Sequence, residues 1–137
     1  SLEKEIICIQ NYLDLEQIRY GNLLKVNTEI IGDISDKKIA PILLLSFIEN
    51  AFKHGANKST DNVKIDIDFK IVENFLYFTI SNPIPKTKTQ SKSIEKSSGI
   101  GLRNVKKRLE LGYKPEDYSL SINNQNELFV VNLKIKV

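Results

Sequence analysis

The sequence predicts an α+β fold, a two-layer sandwich in which helices cover one face of a mostly antiparallel sheet. Apolar residues recur at helical spacing in two early segments, and charged and apolar residues alternate strictly over residues 63–71. The predicted elements follow the order helix, strand, helix, hairpin, loop, helix, hairpin. The chain has 137 residues, enough for one core, so we expect a single domain over residues 1–137.

The first half of the chain is predicted to form two helices with a strand between them. Residues 2–20 carry one apolar stripe and are followed by Gly21, which is typical of a helix end. Residues 24–34 alternate loosely, as a strand does. Pro41 and the glycine after residue 54 predict a second helix over residues 41–54, because proline favours the first helical position and glycine the position after the last.

The middle of the chain predicts a hairpin followed by a long loop. Residues 63–71 and 75–81 are the two predicted strands, and Glu73-Asn74 is the turn between them. Residues 83–98 contain two prolines, several serines and four lysines, which predicts a flexible loop. So long a loop in a small domain often acts as a lid.

The last third of the chain predicts a helix and a closing hairpin. The helix follows a glycine pair and spans residues 101–112. The hairpin consists of residues 118–123 and 128–137.

The basic residues are concentrated in one segment of the chain. The formal net charge is +3, but residues 84–114 contain nine Lys or Arg against two Asp or Glu, a net charge of +7. We therefore expect this segment to meet an anion. Four of its lysines fall in the predicted loop: Lys86, Lys88, Lys92 and Lys96.

Composition excludes several classes of protein. One cysteine and one histidine exclude an internal disulfide and a His-rich metal site. No uncharged apolar stretch is long enough to cross a membrane. An apolar fraction of 41% and a charged fraction of 27% are typical of a globular domain, and we expect these residues to form a soluble one.

The helix predicted over 41–54 carries a polar patch. Asn50, Lys53 and His54 are spaced i, i+3, i+4, so their side chains reach one area of surface. An asparagine oxygen suits Mg²⁺ without the repulsion a carboxylate has beside phosphate, and Lys53 and His54 can donate to phosphate oxygens. By spacing alone, an ordinary solvated helix face remains the alternative.

A second candidate site is the glycine pair in the run Ser98-Gly99-Ile100-Gly101-Leu102-Arg103-Asn104. Glycines let a backbone approach an anion closely, and the free amides of a helix start favour negative charge. The pattern is neither a dinucleotide fingerprint nor a Walker loop. It predicts a phosphate cradle, with an ordinary loop-to-helix transition as the alternative.

Together the two segments resemble a known superfamily. Phe47-Ile48-Glu49-Asn50-Ala51-Phe52-Lys53-His54-Gly55 and, after a hairpin and a lid, Ser98 to Val105 resemble the GHKL ATPases. Within that superfamily the chain resembles the ATP-binding catalytic domain of LytS-like sensor histidine kinases, over essentially its whole length. The resemblance implies the Bergerat-type ATP-binding fold.

The resemblance also implies roles for individual residues. Asn50 would ligate the Mg²⁺ that bridges the ATP phosphates, and Lys53 and His54 would be the basic pair beside it; these three are the implied catalytic residues. Residues 83–98 would be the ATP lid. Further nucleotide-binding positions would be Asn82, Gly99, Ile100, Gly101, Leu102, Asn104 and Arg108.

Two positions depart from the superfamily pattern. Asn82 stands where an aspartate usually accepts a hydrogen bond from the adenine amino group, so adenine should be held more weakly, without charge assistance. Ser46 stands where hydrolytic members carry a water-activating glutamate, which favours transfer to an external nucleophile over hydrolysis. That nucleophile would be a histidine on an upstream dimerisation segment, because His54 belongs to the nucleotide box and is the chain's single histidine.

The predicted function is ATP-Mg²⁺ binding and phosphoryl donation in two-component signalling. Residues 1–20 would lead in from the missing phosphoacceptor region of a dimeric, membrane-attached bacterial kinase, with this domain in the cytoplasm. The partner would be a response regulator, expected to be of the LytTR type. One alternative is a degenerate, non-catalytic regulatory module that binds nucleotide weakly. A nucleic-acid-binding domain is disfavoured, because the aromatic residues fall at core spacing rather than beside the lysines.

Overall fold

A computed structural model of the chain describes residues 1–54, 62–83, 91–125 and 128–137, and for His54, residues 91–100 and Gln125 it describes the backbone only. The helices are α1 (Leu2–Tyr20), α2 (Leu43–His54) and α3 (Ser91–Gly112). The strands are β1 (Leu24–Ile31), β2 (Val63–Val72), β3 (Phe75–Pro83), β4 (Tyr118–Gln125) and β5 (Leu128–Lys136). Short 3-10 helices occupy Gly21–Leu23 and Pro115–Asp117.

The five strands form one mixed sheet in the order β1-β2-β3-β5-β4. β1 runs parallel to β2, and the other neighbouring pairs are antiparallel. Along β2 every second residue from Val63 to Phe69 is buried, and the residues between them are exposed or half-buried. One face of the sheet is therefore covered by the helices, which confirms the predicted α+β sandwich.

Both predicted hairpins are confirmed. β2 and β3 pair from Asp66–Ser81 to Val72–Phe75, and Glu73 in the turn has a positive φ of 55°. β4 and β5 pair from Tyr118–Ile135 to Gln125–Leu128. In the part of the chain that the structure describes, no helix combines the length and the apolar character needed to cross a membrane.

Two element ends differ from the prediction because of backbone conformation. β1 stops at Ile31 rather than at residue 34, since Gly32 turns the chain at φ 102°. A Cβ at Gly32 would lie 2.8 Å from the carbonyl oxygen of Ile71, so this close approach requires glycine. The second helix begins at Leu43 and not at residue 41, because Ile42 lies in the left-handed region.

The prediction of a flexible loop over residues 83–98 is wrong at both ends of that range. Pro83 belongs to β3, residues 91–98 form the first two turns of α3, and residues 84–90 lie outside the described residues. A glycine inside a helix costs only about 1 kcal/mol. The glycine pair therefore lies within α3 and does not mark its beginning, as the sequence had suggested it would.

α1 packs on α2 through aromatic rings. The Tyr12 and Phe52 rings meet edge to face with centroids 5.6 Å apart, and the Tyr20 ring lies 6.5 Å from that of Phe52. On another side of α2, Phe47 contacts Phe78 of β3 at 6.0 Å. α2 is therefore held between α1 and the sheet.

The start of α2 contains a strained residue. Ile42 adopts φ 64°, a conformation that β-branched residues rarely take. Its N–H donates to Glu5 Oε1 at 2.9 Å. Its carbonyl accepts from the Ser46 amide at 3.1 Å and from the Ser46 hydroxyl at 2.7 Å. These hydrogen bonds hold the strained conformation in place.

Replacing this residue tests the strain. Ile42 is 56% exposed, so Ile42→Asn loses little packing, and asparagine tolerates the left-handed region. We expect Ile42→Asn to raise the free energy of unfolding by about 1 kcal/mol, measured by urea denaturation. Ile42→Val keeps the β-branch and should bring no gain. If Ile42→Asn is no more stable than Ile42→Val, the backbone at residue 42 is not strained as inferred.

Candidate functional site

Asn50 lies at the seam between α2 and α3. The side chain is only 8% exposed although it is polar. A Cβ placed on Gly101 of α3 would lie 3.0 Å from Asn50 Oδ1, so the amide oxygen occupies the space that the glycine leaves. The structure thus brings together one residue from each of the two boxes singled out in the sequence.

The other two residues of the first box lie at the carboxyl end of α2. Lys53 is exposed one turn beyond Asn50, where a flexible ammonium group can reach a ligand beside Asn50. His54 is the last residue of α2, and its side chain lies outside the described residues. Helical geometry places Lys53 on the side of α2 that carries Asn50.

The second box does not form a helix start, which corrects the predicted cradle. Gly99, Ile100 and Gly101 lie inside α3, about two to three turns from its first residue. Amides at such positions are engaged in i→i−4 hydrogen bonds and are not free for phosphate. Leu102 is 6% exposed and belongs to the core, so its side chain packs α3 onto the domain.

Two further predicted residues lie along α3. Asn104 is exposed. The Arg108 guanidinium donates a hydrogen bond to the carbonyl of Pro41, two helical turns or about 10 Å from Gly101. The structure therefore does not bring Arg108 to Asn50 but gives it a contact with the segment before α2.

Asn82 continues the buried face of β3. Leu76, Phe78 and Ile80 point toward the helices at alternate positions, and Asn82 follows them with 3% exposure. Its amide nitrogen donates to the Pro83 carbonyl at 3.3 Å. Its Oδ1 is buried and has no hydrogen-bond donor in the described part of the chain. An unsatisfied buried acceptor is costly, so Asn82 is suited to accept from the N–H of a ligand.

Neither residue near the position of the hydrolytic glutamate provides a free base. The Ser46 hydroxyl donates to the Ile42 carbonyl within its own helix. Glu49 is exposed and lies toward α1. Burial raises the pKa of Tyr12 to about 12, and the Glu16 and Glu49 carboxylates add to the shift. Glu49 therefore lies near Tyr12 of α1, about 100° around α2 from Asn50.

The donor set at the seam fits a Mg²⁺ ion carried by a nucleotide. Across the described ranges, no three His, Cys, Asp or Glu side chains converge on a common point. An ion at Asn50 would take most of its ligands from phosphate and water, as Mg²⁺ usually does at nucleotide sites.

Sequence reasoning missed Glu5 and Tyr113. The Glu5 carboxylate is 7% exposed and accepts from the amides that begin α2. The Tyr113 hydroxyl accepts from the Ala40 amide at 2.8 Å. A signal for Glu5 was present, since it falls on the apolar stripe of α1 between Leu2 and Ile9. No sequence signal singled out Tyr113.

A methyl group at Gly101 tests the contact between α2 and α3. We expect Gly101→Ala to keep the free energy of unfolding within about 1 kcal/mol, because the higher helix propensity of alanine offsets the displaced amide. The side-chain amide resonances of Asn50 should shift in the ¹⁵N–¹H spectrum. Gly112→Ala is the control, since a Cβ there meets nothing within 4 Å. If the Asn50 side-chain resonances are at the same positions in Gly101→Ala and in Gly112→Ala, the contact between Asn50 and Gly101 is contradicted.

Comparison with known families agrees with this geometry. The model of the GHKL domain matches residues 39–136, well over half of the chain and both boxes.

Curated relatives are sensor kinases. Sensor histidine kinase BtsS of Escherichia coli K12 is 27% identical over 122 residues, covering 89% of this chain and 21% of that protein. Sensor protein LytS of Staphylococcus saprophyticus is 29% identical, covering 93% of this chain and 23% of that protein. The chain thus spans about a fifth of the length of these relatives.

Solved structures with a similar fold are histidine kinase domains. The catalytic domain of histidine kinase ThkA superimposes with a TM-score of 0.65 at 18% identity, over 99% of this chain and 94% of that one. The mycobacterial sensor histidine kinase MprB gives 0.59 at 16% identity, over 93% and 91%. Since the family model covers both boxes and these folds superimpose over nearly the whole chain, the chain belongs to the GHKL domain family and has the fold of histidine kinase catalytic domains.

Proposed function

We propose that the chain binds ATP with Mg²⁺ at the seam between α2 and α3 and donates the γ-phosphoryl group to a histidine outside these residues. The observation that carries this proposal is the buried side chain of Asn50, whose amide oxygen lies against Gly101. A buried polar side chain in a gap kept by a glycine contributes little to stability. Such a feature is expected where a ligand is bound.

The positive charge of Lys53 and of the sequence from residue 84 to residue 114 supports an anionic ligand. Lys53 stands exposed one turn from Asn50, and residues 84–114 have a net charge of +7. Mg²⁺ held at Asn50 would neutralise charge on the phosphates during transfer. Asn50 would fix the position of that charge, and Lys53 would donate to phosphate oxygens.

Asn82 supports adenine as the base. Its Oδ1 is a buried acceptor that lacks a donor among the described residues, and the adenine amino group is a donor. Because the Asn82 nitrogen is turned toward the Pro83 carbonyl, the oxygen is the atom left for the ligand. A base with a carbonyl in place of the amino group would meet this oxygen unfavourably.

Residues near Asn50 support transfer over hydrolysis. Ser46 is hydrogen-bonded within α2, and Glu49 lies on the side of Tyr12, so neither is placed to activate water. Phosphoryl transfer depends mainly on positioning and charge neutralisation. We infer an acceptor histidine on another segment, since the single histidine of the chain belongs to the first box.

The family relationship extends the proposal to partners. The solved complex of ThkA with the response regulator TrrA supports a response regulator as the next acceptor, and we propose one of the LytTR type. We further propose a dimeric parent protein attached to the cytoplasmic membrane of a bacterium, with this domain on the cytoplasmic side. The glycine box would contribute phosphate contacts only if α3 opened near Gly99, so the proposal rests on Asn50.

Titration calorimetry with ATP tests the binding. We expect binding below millimolar concentration in the presence of Mg²⁺, and Asn50→Ala should weaken it by about tenfold or more, the cost of losing a contact to a charged group. Asn124→Ala, at an exposed position of β4, is the matched control and should bind as the unaltered chain does. No heat of binding at millimolar ATP would contradict a working kinase domain.

A degenerate regulatory module is the second candidate, and Asn82 in place of the usual aspartate favours it. If the uncharged amide limits affinity, Asn82→Asp should strengthen ATP binding about tenfold, because a charge-assisted hydrogen bond is about twice as strong as a neutral one. The buried carboxylate should also lower the stability of the free chain.

The same titration with GTP is the control for Asn82→Asp, because guanine has a carbonyl where adenine has the amino group. An unchanged ATP affinity would show that position 82 does not limit binding, and would count against the degenerate module. An equal gain for GTP would show that Asn82 does not contact the base as proposed.

A further inference from the structure

The first turn of α2 lacks a capping side chain of its own. Ile42 occupies the capping position, where Ser, Thr, Asp or Asn usually accepts hydrogen bonds from the first amides of a helix. The Leu43 amide donates to the Ala40 carbonyl at 3.4 Å. The amides of Leu44 and Leu45 need an acceptor from elsewhere.

Glu5 of α1 provides that acceptor. Its Oε2 accepts from the Leu44 amide at 2.9 Å and from the Leu45 amide at 3.3 Å, while its Oε1 accepts from the Ile42 amide at 2.9 Å. The carboxylate is 7% exposed, and its negative charge lies at the positive end of the helix dipole. A residue almost forty positions away in sequence therefore caps α2.

The same segment is tied to the end of α3. The Tyr113 hydroxyl accepts from the Ala40 amide, and Arg108 donates to the Pro41 carbonyl. Residues 40–42 are thus attached to α1 by Glu5 and to α3 by Arg108 and Tyr113. The start of α2 is fixed relative to both neighbouring helices.

We propose that Glu5 is a positioning residue for the nucleotide site, an inference that rests on the proposed function. Asn50 follows Leu45 by five residues, about 7.5 Å along a rigid helix, so the axial position of α2 sets where Asn50 lies against Gly101. Glu5 fixes that axial position. It touches neither Asn50 nor Asn82, and it acts on the Mg²⁺ ligand through α2.

Glu5→Gln tests this inference, because the side chain keeps its size but loses its charge and one acceptor. ATP affinity is measured by calorimetry with Mg²⁺ and, separately, with EDTA. We expect Mg²⁺-ATP affinity to fall about tenfold, the lower end of what the loss of an outer support costs a metal site. Metal-free ATP affinity should change less than about threefold. Glu3→Gln, an exposed residue of the same helix, is the matched control and should change neither.

A double-mutant cycle separates positioning from a general loss of structure. In an Asn50→Ala background, Glu5→Gln should cause no further loss of Mg²⁺-ATP affinity, since the ligand it positions is already gone. Tyr113→Phe removes the hydroxyl that accepts from the Ala40 amide. It should also lower Mg²⁺-ATP affinity, but by less than Glu5→Gln does. It carries the test if Glu5→Gln does not fold by circular dichroism.

The outcomes distinguish this inference from the proposed function. If the unaltered chain binds Mg²⁺-ATP through Asn50 but Glu5→Gln binds equally well, the positioning role is overturned and the proposed function stands. Equal losses with and without Mg²⁺, or a full loss in the Asn50→Ala background, would also overturn it. No ATP binding by the unaltered chain would overturn both.

Discussion

The close approach of α2 and α3 at Asn50 and Gly101 is the contact on which the proposed activity depends. A polar side chain is buried there, and a Cβ on the facing residue would lie 3.0 Å from its oxygen. A buried amide contributes less to folding stability than an apolar side chain unless its polar atoms form hydrogen bonds or bind a ligand. Gly101, on the facing helix, has a lower helix propensity than alanine would have there. The proposed nucleotide site accounts for both residues.

Different sides of α2 serve hydrophobic packing and the proposed binding site. Phe47 and Ile48 are almost fully buried and carry the hydrophobic packing, while the ring of Phe52 meets α1. The side facing α3 carries Asn50. Glu5 accepts hydrogen bonds from the amides of Leu44 and Leu45 and so holds the first turn of α2 in place.

Much of the fold was predictable because local patterns agreed with the tertiary structure. The strict alternation in β2 and the broad apolar arc of α2 identified these elements directly. The misses at Ile42 and Gly32 occurred where tertiary contacts decide the backbone. The helix α3 begins earlier than its glycine pair indicated. The sequence assigned both boxes to one nucleotide site, but the free helix start that it predicted at the glycines was wrong. The cap from Glu5 was not predictable from local sequence, since donor and acceptor are almost forty residues apart.

A crystal structure of the chain with Mg²⁺ and an ATP analogue that resists hydrolysis tests the central claim most directly. We expect Mg²⁺ about 2.1 Å from Asn50 Oδ1, with the adenine amino group donating to Asn82 Oδ1. Nucleotide bound away from the seam between α2 and α3, or an ion without Asn50 among its ligands, would contradict the claim.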